Sequence, residues 1–575
     1  MSDIPSSFFL NTSLYLLIPF VFALFFRKGR ISPIIGYMLG GIVLGNFFDG
    51  LISRDIINNF AYFGIVFLMF TLGLEIQFDQ MIALRKFIVW GGFLQITLSI
   101  IIIGICSLLF GFTLIQSFLI GIALSSSSTS LVAKIIQDRG EEGSFHGELA
   151  MGILMFQDLA FIPFVIIFNS ITTKTITFMD ITVKIFIDMF ASGVILWFAY
   201  CFGHKIAPFI FNKVARASRE LLNLFIILTI FVIAYVSTLL HIPVLVSMFV
   251  AGILVSQTME HYHIFSQVRP LRDLLSIIFF IYIGTNIKIG MVAFLLPKII
   301  VFALLIMGAK ALIILLIFLF MKFHSKLSLY LSLFLFQVDE DAFILMSVAY
   351  VNKMFSQEEY LFVITAVMLS LLCTPFLIGS KEKIYRFIRS FINTYLPPLH
   401  TYIKHHIDRD QSHIEALEIK NHVILCGYGR IGSYVGRALM LSNIPFIAID
   451  YNFPTVEKAK REGINILYGD PTDIDILDYA EAENAVAIVT ALPDRFSQET
   501  IILHARKLNR DILIISRAHR KKDQKRMKDM GVKVVIQPEF EASLSIIRKL
   551  LLLKRVPKEE IVKKLHYFKL EQEGI

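Results

Sequence analysis

The sequence has few charged residues and few cysteines, and each shortage excludes classes of protein. Asp, Glu, Lys and Arg make up 17% of the 575 residues, whereas apolar residues make up 56%. Because a soluble domain carries about 25% charged residues, most of this chain is predicted to lie away from water. The four cysteines are scattered and form no CxxC pair, which excludes zinc ribbons, thioredoxin-like redox sites and disulfide scaffolds.

Motifs that would define other membrane proteins are also absent from the sequence. There is no Walker A sequence GxxxxGK[ST], which an ATP-driven pump needs, and no TVGYG-like filter, which a potassium channel needs. The apolar runs also lack the paired histidines that a haem- or quinone-binding oxidoreductase would require. No base-reading motif occurs, so we interpret the net charge of +9 as a bias of cytoplasmic loops and not as a nucleic-acid surface.

Long apolar runs fill the first two thirds of the chain. Each is near the ~20 residues that cross ~30 Å of hydrocarbon as a helix. The thirteen runs cover residues 8–26, 31–48, 55–74, 86–110, 113–137, 146–170, 181–203, 220–239, 242–258, 271–287, 294–321, 327–351 and 358–379. They predict a multi-spanning α-helical membrane domain over residues 1–380.

Positive charge in the loops predicts the orientation of these spans. Lys and Arg are concentrated in alternate loops, beginning with Arg27, Lys28 and Arg30 after the first run, and are sparse in the loops between. Since cytoplasmic loops carry the excess of Lys and Arg, the N-terminus is predicted outside and the C-terminal 195 residues in the cytoplasm. The first run is not interpreted as a cleavable signal, because its basic residues follow the apolar stretch.

An internal repeat is visible at an offset of 211 residues. At this offset IIGYMLGGIVLG aligns with LVSMFVAGILVS, which places Gly41 on Gly252, and FTLGLEI aligns with IYIGTNI, which places Gly73 on Gly284. The two copies are separated by an odd number of spans and therefore run in opposite directions. Inverted repeats of this kind are common in secondary transporters, whose ion sites lie at the repeat interface near the membrane midplane.

The repeat also pairs two interruptions of apolar spans. The hydroxyl-rich SSSSTS at residues 125–130 interrupts span five, and the offset places Ser128 on Asp339 and Thr129 on Glu340 in span twelve. Interrupted helices at matching positions are the best sequence pointer to the binding site of a transporter. An ordinary packing face of small residues is the alternative interpretation of SSSSTS.

Ionisable residues inside apolar spans are unfavourable, so each is a candidate for function. Asp158 lies mid-span beside Gln157, and Lys310 lies in the middle of span eleven. A structural carboxylate and a structural ion pair are the respective alternatives. The predicted ion-exchange residues are Ser127, Ser128, Thr129, Gln157, Asp158, Lys310, Asp339 and Glu340. No catalytic residue and no metal site is predicted.

The C-terminal part carries a βαβ pattern with a phosphate-binding loop. The apolar strand HVILC is followed by GYGRIG, by a helix and by the strand PFIAI, which ends at Asp450, 18 residues beyond Gly432. The glycines permit a tight turn and close approach of a pyrophosphate to backbone N–H groups, and the acidic residue accepts ribose hydroxyls. The predicted nucleotide-binding residues are Gly427, Gly429, Arg430, Ile431, Gly432, Asp450 and Asp470.

Four further strand patterns complete a six-stranded Rossmann-type domain. It is predicted over residues 421–538, after a polar linker at 381–420 and before a tail at 539–575. No hydride-acceptor site, catalytic Cys/His pair or second catalytic domain follows. We therefore interpret the domain as a sensor of an adenine nucleotide, AMP or NAD(H), and a Rossmann fold without a ligand is the alternative.

Taken together, these patterns resemble the Kef-type potassium/proton antiporters of the cation:proton antiporter-2 family. The motifs that carry the resemblance are SPIIGYMLGGIVLG, FLMFTLGLEI, FQDLAFIPF, FFIYIGTNI, GYGRIG, YGDPTD and IISRAHR, spread over nearly the whole chain. The resemblance implies a cation/proton exchanger and not an enzyme, with a C-terminal domain similar to the RCK (TrkA-N) domain. It also implies that Asp158 of the Gln-Asp pair is the exchange carboxylate.

The resemblance has further implications for partners and location. It implies a multi-pass protein of the bacterial inner membrane that forms a homodimer in the lipid bilayer, with an ancillary cytoplasmic subunit as a candidate partner. The transported ions would be protons and K⁺ or Na⁺, no cofactor would be required for transport, and a ligand on the RCK-like domain would gate exchange. Arg430 and Arg517 match the positions of the family's ligand-contacting arginines.

Two departures from the family pattern concern the second break and a loop. Where the family usually has Gln-Gly-Gly-Glu-Phe, this chain has Gln337-Val338-Asp339-Glu340-Asp341, so glycines are replaced and carboxylates are gained. The loop TMEHYHIFSQVRPLRD lacks the acidic run of glutathione-gated members, which leaves glutathione gating open. An RCK-gated, channel-like potassium efflux protein and a membrane redox protein that uses NAD(P)H are the alternative functions.

Overall fold

The chain folds into two compact units. A computed structural model describes residues 6–28, 32–48, 54–75, 85–139, 145–172, 218–240, 242–256, 258, 261–321, 323–403, 421–518 and 521–573, with isolated positions between 190 and 214. The first unit comprises Met1–Ile135, Leu149–Phe318 and Leu329–Tyr385. The second unit comprises Ile136–Glu148, Leu319–Ser328 and Arg386–Ile575.

Apolar α-helices dominate the chain up to residue 379. Over the described residues they are α1 (Ser6–Lys28), α2 (Pro33–Phe47), α3 (Arg54–Glu75), α4 (Arg85–Leu109), α5 (Leu114–Ser125), α6 (Thr129–Arg139), α7 (Phe145–Thr172), α8 (Arg219–Leu239), α9 (Val244–Ser256), α10 (His261–Asn286), α11 (Ile289–Phe320), α12 (Ser325–Leu335), α13 (Asp341–Val351) and α14 (Gln357–Gly379). Eight described helical segments are long and apolar enough to cross a membrane, and α2, α9, α12 and α13 are shorter apolar helices. The predicted multi-spanning α-helical fold is confirmed.

The helices match the predicted spans, and the largest difference in bounds is at α10. The seventh predicted span, 181–203, falls outside the described residues apart from isolated positions, and each of the other spans contains a helix. The sequence predicts span ten at 271–287, whereas α10 already begins at His261. The first turns of α10 are polar, so an apolar run alone places its start too late. Arg269 and Asp273, 3.9 Å apart at (i, i+4) spacing, form the kind of pair that supports a polar helix surface.

Two spans are interrupted, as the sequence predicts. Span five consists of α5 and α6, separated at residues 126–128, and span twelve consists of α12 and α13, separated at residues 336–340. α5 begins at a capping box, in which the Thr113 hydroxyl accepts from the Gln116 N–H at 3.3 Å and Gln116 Oε1 accepts from the Thr113 N–H at 2.9 Å. The two breaks release backbone groups inside an apolar layer, where each group needs a partner.

The internal repeat is visible as two equivalent close contacts between helices. α2 packs against α10, where a Cβ at Gly41 would lie 3.0 Å from the Cα of Gly284. α3 packs against α9, where a Cβ at Gly73 would lie 2.9 Å from the Cα of Gly252. The offset that relates Gly41 to Gly252 also relates Gly73 to Gly284, so each contact is the counterpart of the other. Small residues at such positions let two helix backbones approach closely.

The second unit contains a parallel six-stranded sheet. Its strands are β1 (Val423–Cys426), β2 (Phe446–Asp450), β3 (Ile466–Tyr468), β4 (Ala487–Thr490), β5 (Leu513–Arg517) and β6 (Val534–Ile536). The strand order β3-β2-β1-β4-β5-β6 is that of a Rossmann fold and confirms the predicted domain type. Both faces are covered, since Ile424 and Cys426 of β1 pack in one apolar cluster and Leu425 between them packs in the other.

Helices follow each of the strands and also occupy the predicted linker and tail. After residue 380 they are α15 (Lys381–Tyr395), α16 (Pro397–Tyr402), α17 (Arg430–Leu441), α18 (Phe453–Arg461), α19 (Ile474–Tyr479), α20 (Arg495–Leu508), α21 (Lys521–Asp529), α22 (Pro538–Leu553) and α23 (Lys558–Glu573). The predicted linker therefore begins with α15 and α16, while its residues 404–420 lie outside the described part. α17 begins directly after the glycine loop, at the carboxyl end of β1, the edge at which parallel sheets bind ligands.

Candidate functional site

The two helix breaks cross each other in the first unit. The Ser126 carbonyl oxygen accepts from the Asp339 N–H at 3.2 Å, and the Ser127 hydroxyl donates to the Leu335 carbonyl oxygen at 2.6 Å. Backbone groups released by one break thus find partners on the other. This is how non-helical backbone is tolerated at membrane depth, and it brings the predicted ion-exchange residues of both copies together.

Asp158 on α7 lies beside the first break. The Thr129 hydroxyl is within hydrogen-bond distance of both carboxylate oxygens, at 3.0 and 3.1 Å. Thr129 is the first residue of α6, so the carboxylate lies at the N-terminal end of a half-helix, where the helix dipole favours negative charge. Asp158 is partly exposed, whereas the adjacent Gln157 is fully buried. The predicted Gln-Asp pair therefore provides one accessible carboxylate and one buried amide.

The Gln157 amide is held in one orientation by its neighbours. Its Oε1 accepts from the Ser127 N–H at 2.8 Å, and its Nε2 donates to Gln95 Oε1 at 2.7 Å. Gln95 in turn donates to the Ser99 hydroxyl and to the Ser125 carbonyl oxygen, both at 3.0 Å. Gln95 is not among the predicted site residues, although a long polar side chain inside the apolar helix α4 is a signal for such a role.

Lys310 is fully buried and joins both breaks. Its ammonium donates to the carbonyl oxygens of Leu124 at 3.2 Å, Ser126 at 2.6 Å and Gln337 at 2.7 Å. An ammonium has three N–H donors, so these carbonyls engage all of them. They lie at the C-terminal ends of α5 and α12, where the helix dipoles are negative. This geometry fits a scaffold role for Lys310, and its predicted part in ion exchange stays a prediction.

The second break adds three carboxylates to the crossing. Glu340 Oε1 accepts from the Ser130 hydroxyl at 2.5 Å, which links the second break to α6. Asp339 and Asp341 are 5% and 7% exposed, and both interact electrostatically with Asp158. Charges at this depth are weakly screened, so the cluster needs protons or cations to balance it.

The glycine loop between β1 and α17 leaves room for a ligand. Gly427 has φ +93°, a left-handed conformation that favours glycine. A Cβ at Gly432 would collide with the Gly427 carbonyl oxygen, whereas a Cβ at Gly429 would meet nothing within 4 Å. Gly429 is the N-cap of α17 and provides no side-chain cap, so the first N–H groups of the helix, including that of Ile431, are placed to bind a phosphate.

Asp450 at the end of β2 supports this loop. One carboxylate oxygen accepts from the Tyr428 N–H at 2.6 Å, and the other accepts from the Asn452 N–H at 2.8 Å. Burial raises the pKa of Asp450 to about 6, although the N–H groups of Asn452, Tyr428 and Tyr451 act against this rise. A carboxylate has about four acceptor positions, so beside these N–H groups Asp450 can still accept from a ribose hydroxyl of a nucleotide.

Asp470, after β3, is engaged with a lysine. It is 3% exposed, and its Oδ2 lies 2.9 Å from Lys326 Nζ. Burial acts to raise the pKa of Asp470, but Lys326, His324 and the Thr472 N–H lower it to about 2. Asp470 is thus an ionised carboxylate with a cationic partner, and its predicted contact with a nucleotide stays a prediction.

Arg430 and Arg517 place positive charge at the same edge of the sheet. Arg430 is exposed at the start of α17, and Arg517 is the last residue of β5. Burial lowers the pKa of Arg517, Glu539 acts against this shift, and the positive charge of Arg430 adds to it. Guanidinium groups bind anionic groups well, so this placement fits the predicted contact of both arginines with a regulatory ligand, which stays a prediction.

The crossed broken helices, the buried carboxylates and the Rossmann domain together define an ion-coupled membrane transporter with a regulatory domain. Residues 14–379 match the family model of the transmembrane sodium/hydrogen exchangers, and residues 423–538 match that of the TrkA-N domain. The chain therefore belongs to the sodium/hydrogen exchanger family. It is a multi-pass cation/proton antiporter with a C-terminal nucleotide-binding regulatory domain, and it is not an enzyme.

Two relatives and one solved structure agree with this assignment. The protein named K(+) efflux antiporter KefB of Alkalimonas amylolytica is 27% identical over 542 residues, which are 93% of this chain and 80% of that protein. The protein named cation/proton antiporter YbaL of Escherichia coli is 24% identical over 557 residues, 95% of this chain and 97% of that protein. A sodium proton antiporter from Methanocaldococcus jannaschii shares the fold, with TM-score 0.51 and 14% identity over 64% of this chain and 97% of that one. The predicted resemblance to Kef-type antiporters is confirmed.

Proposed function

We propose that the chain exchanges K⁺ for protons across the bacterial inner membrane, with Asp158 as the exchange carboxylate. The observation that carries this proposal is the place of Asp158, a partly exposed carboxylate at the N-terminal end of α6, where two broken helices cross. A carboxylate that holds either a proton or a cation, but never both, couples the movements of the two ions in opposite directions. Alternating access then exposes Asp158 to each side in turn.

The groups around Asp158 suit a monovalent cation that has lost part of its water. Thr129 brings a hydroxyl oxygen to the carboxylate, and Asp339 and Asp341 add buried carboxyl groups that interact electrostatically with Asp158. Oxygen ligands of this kind replace the hydration shell of K⁺ or Na⁺. Lys310 holds the negative ends of α5 and α12, and Gln157 holds the Ser127 N–H, so the site keeps its shape when the cation leaves.

The finer parts of the proposal rest on comparison and on loop charge. K⁺ is chosen because the relative from Alkalimonas amylolytica is named a K(+) efflux antiporter, and Na⁺ is the alternative ion. The positive loops support an N-terminus outside and a soluble domain in the cytoplasm. The homodimer and an ancillary cytoplasmic subunit are proposed from the family resemblance alone.

The second unit is proposed to sense an adenine nucleotide, AMP or NAD(H). The open space at Gly429 and the uncapped start of α17 support a phosphate there, and Asp450 supports the ribose hydroxyls. Arg430 and Arg517 would bind a further anionic group of the ligand. A dimerisation scaffold that binds no nucleotide is the alternative role for this domain.

The test of the transport proposal is cation-driven proton flux in proteoliposomes. The variant Asp158→Asn keeps the side-chain volume but can neither release a proton nor neutralise a cation, so we expect exchange to be abolished. The control Asp511→Asn removes an exposed carboxylate of the second unit and should exchange at the wild-type rate. Near-wild-type exchange by Asp158→Asn, in protein that elutes as the wild type does, would refute the assignment. Competition between K⁺ and Na⁺ in the same assay decides the cation.

A further inference from the structure

Both broken helices extend into the second unit. The segment Ile136–Glu148 contains the end of α6, the segment Leu319–Ser328 contains the start of α12, and both group with the Rossmann domain. The half-helix α12 ends at Leu335, whose carbonyl oxygen accepts from the Ser127 hydroxyl where the two helix breaks cross. A contact that fixes the start of α12 therefore acts on the helix that carries the crossing.

Lys326, the second residue of α12, makes such a contact within the second unit. Its ammonium lies 2.9 Å from Asp470 Oδ2 and donates to the Thr472 hydroxyl at 3.1 Å. The two charged side chains are 6% and 3% exposed. The other Asp470 oxygen accepts from the Thr472 N–H at 2.9 Å, which fixes the carboxylate. An ion pair this deeply buried is weakly screened and depends strongly on the presence of both partners.

The partner of Lys326 lies at the edge of the sheet where a nucleotide is expected. Asp470 follows β3, and the neighbouring strand β2 ends at Asp450. The ring of His324 lies 6.3 Å, between centroids, from the rings of both Tyr451 and Tyr468. The segment from His324 to Lys326 therefore packs on the carboxyl ends of β2 and β3, the edge at which Rossmann domains bind ribose.

We infer that the Lys326–Asp470 ion pair restrains α12, and that a nucleotide bound at the ends of β2 and β3 regulates exchange by altering this restraint. The inference rests on the proposed nucleotide site. Alternating access requires one part of the transporter to move against another, and a buried ion pair at the start of α12 opposes movement of that half-helix. Thermodynamic linkage then requires that the transport state also change the affinity for nucleotide.

The test uses the full chain in proteoliposomes. The double variant Lys326→Gln with Asp470→Asn removes both charges, keeps hydrogen-bonding groups and leaves no unpaired buried charge. Thr472→Val is a milder variant that removes only one hydrogen bond to Lys326. The matched control, Arg461→Gln with Glu457→Gln, removes an exposed ion pair of the same unit. Proton flux is measured without nucleotide, and with AMP or NADH on the side of the soluble domain.

We expect the double variant to exchange faster than the wild type without nucleotide, by on the order of fivefold, and to lose its response to nucleotide. Thr472→Val should shift both values in the same direction by about twofold, and the control should keep the wild-type values. Wild-type rates without nucleotide in the double variant and in Thr472→Val overturn the inference. If the wild type neither binds nor responds to nucleotide, the proposed sensing fails, whereas faster exchange by the double variant still supports the restraint.

Discussion

Backbone groups lie outside regular structure both where the two helix breaks cross and in the glycine loop between β1 and α17. The two regions differ in whether protein side chains satisfy these groups. At the crossing, Lys310 donates to three carbonyl oxygens and Gln157 accepts from the Ser127 N–H. At the glycine loop, no side chain caps α17, and a Cβ at Gly429 would meet nothing within 4 Å. The membrane site is therefore a closed scaffold around an accessible carboxylate, because backbone groups at membrane depth need partners within the protein. The soluble site leaves its donors for a ligand.

The largest expected effect comes from replacing Lys310, which joins the two helix breaks. Lys310→Met removes the lysine donor from the carbonyl oxygens of Leu124 and Gln337, at about 1–3 kcal/mol for each buried group left unsatisfied. The Ser126 carbonyl oxygen loses the same donor but keeps the Asp339 N–H. We expect loss of exchange and a lower unfolding temperature in detergent. Lys298→Met, at an exposed position on the same helix, should change neither. A Lys310→Met protein as stable and as active as the wild type would show that the crossing does not depend on this residue.

A second effect of nearly the same size is expected from adding a side chain in the glycine loop between β1 and α17. Gly429→Ala places a methyl group in empty space, so the fold should persist while binding of AMP or NADH is lost. Gly432→Ala drives a methyl group into the Gly427 carbonyl oxygen and should destabilise the domain itself. Calorimetry with the full chain in detergent measures binding, and thermal unfolding separates the two variants. Unchanged nucleotide binding by Gly429→Ala would mean that the loop does not hold the phosphate.

The carboxylates of the second break should have a smaller effect than Asp158. Asp339→Asn with Asp341→Asn replaces two buried carboxyl groups that interact with Asp158 but leaves the exchange carboxylate in place. We expect exchange to continue, with the cation concentration for half-maximal flux raised by about tenfold, equivalent to ~1.4 kcal/mol of lost attraction. Complete loss of exchange in a folded protein would move the exchange role from Asp158 to the second break.

The smallest expected effect is a pH dependence of nucleotide binding at the glycine loop and Asp450. Because burial raises the pKa of Asp450 to about 6, this carboxyl is protonated at lower pH and is then a weaker acceptor for ribose hydroxyls. Nucleotide affinity should fall as the pH drops below about 6, by about 1 kcal/mol, the difference between hydrogen bonds to charged and to neutral groups. Without nucleotide the sign reverses, since a raised pKa lowers domain stability as the pH rises through that value. Calorimetry above and below pH 6 should show this fall in nucleotide affinity for the wild type. The affinity of Asp450→Asn for nucleotide should not change over the same pH range.

Local patterns in the sequence were sufficient to predict most of the fold. Apolar runs located the spans, and the strand patterns with the GxGxxG spacing located the Rossmann-type domain. The repeat offset paired the two breaks, and the Gly41–Gly284 and Gly73–Gly252 contacts show why, since each equivalent position must let two helix backbones approach. These features depend on residues that are near in sequence or on a pattern that repeats along the chain. Both can be detected in a single sequence.

The contacts that hold the sites depend on residues far apart in sequence, and they were missed. Nothing local to Gln95 indicates that it orients Gln157, and nothing local to Lys326 indicates its pairing with Asp470. Lys310 was recognised as a charged residue inside a span. An ammonium can donate to a carboxylate or to a backbone carbonyl, and the sequence does not show which of these it meets. Only the fold shows that its donors meet the ends of two half-helices.

Proton release on cation binding tests the central claim most directly, because it asks whether the two ions compete for Asp158. A cation that displaces a proton from its ligand releases that proton into solution. When K⁺ is added to the full chain in weakly buffered detergent solution, we predict acidification by the wild type and by Asp511→Asn, and none by Asp158→Asn. Equal acidification by Asp158→Asn would contradict the account, because another group would then carry the exchanged proton.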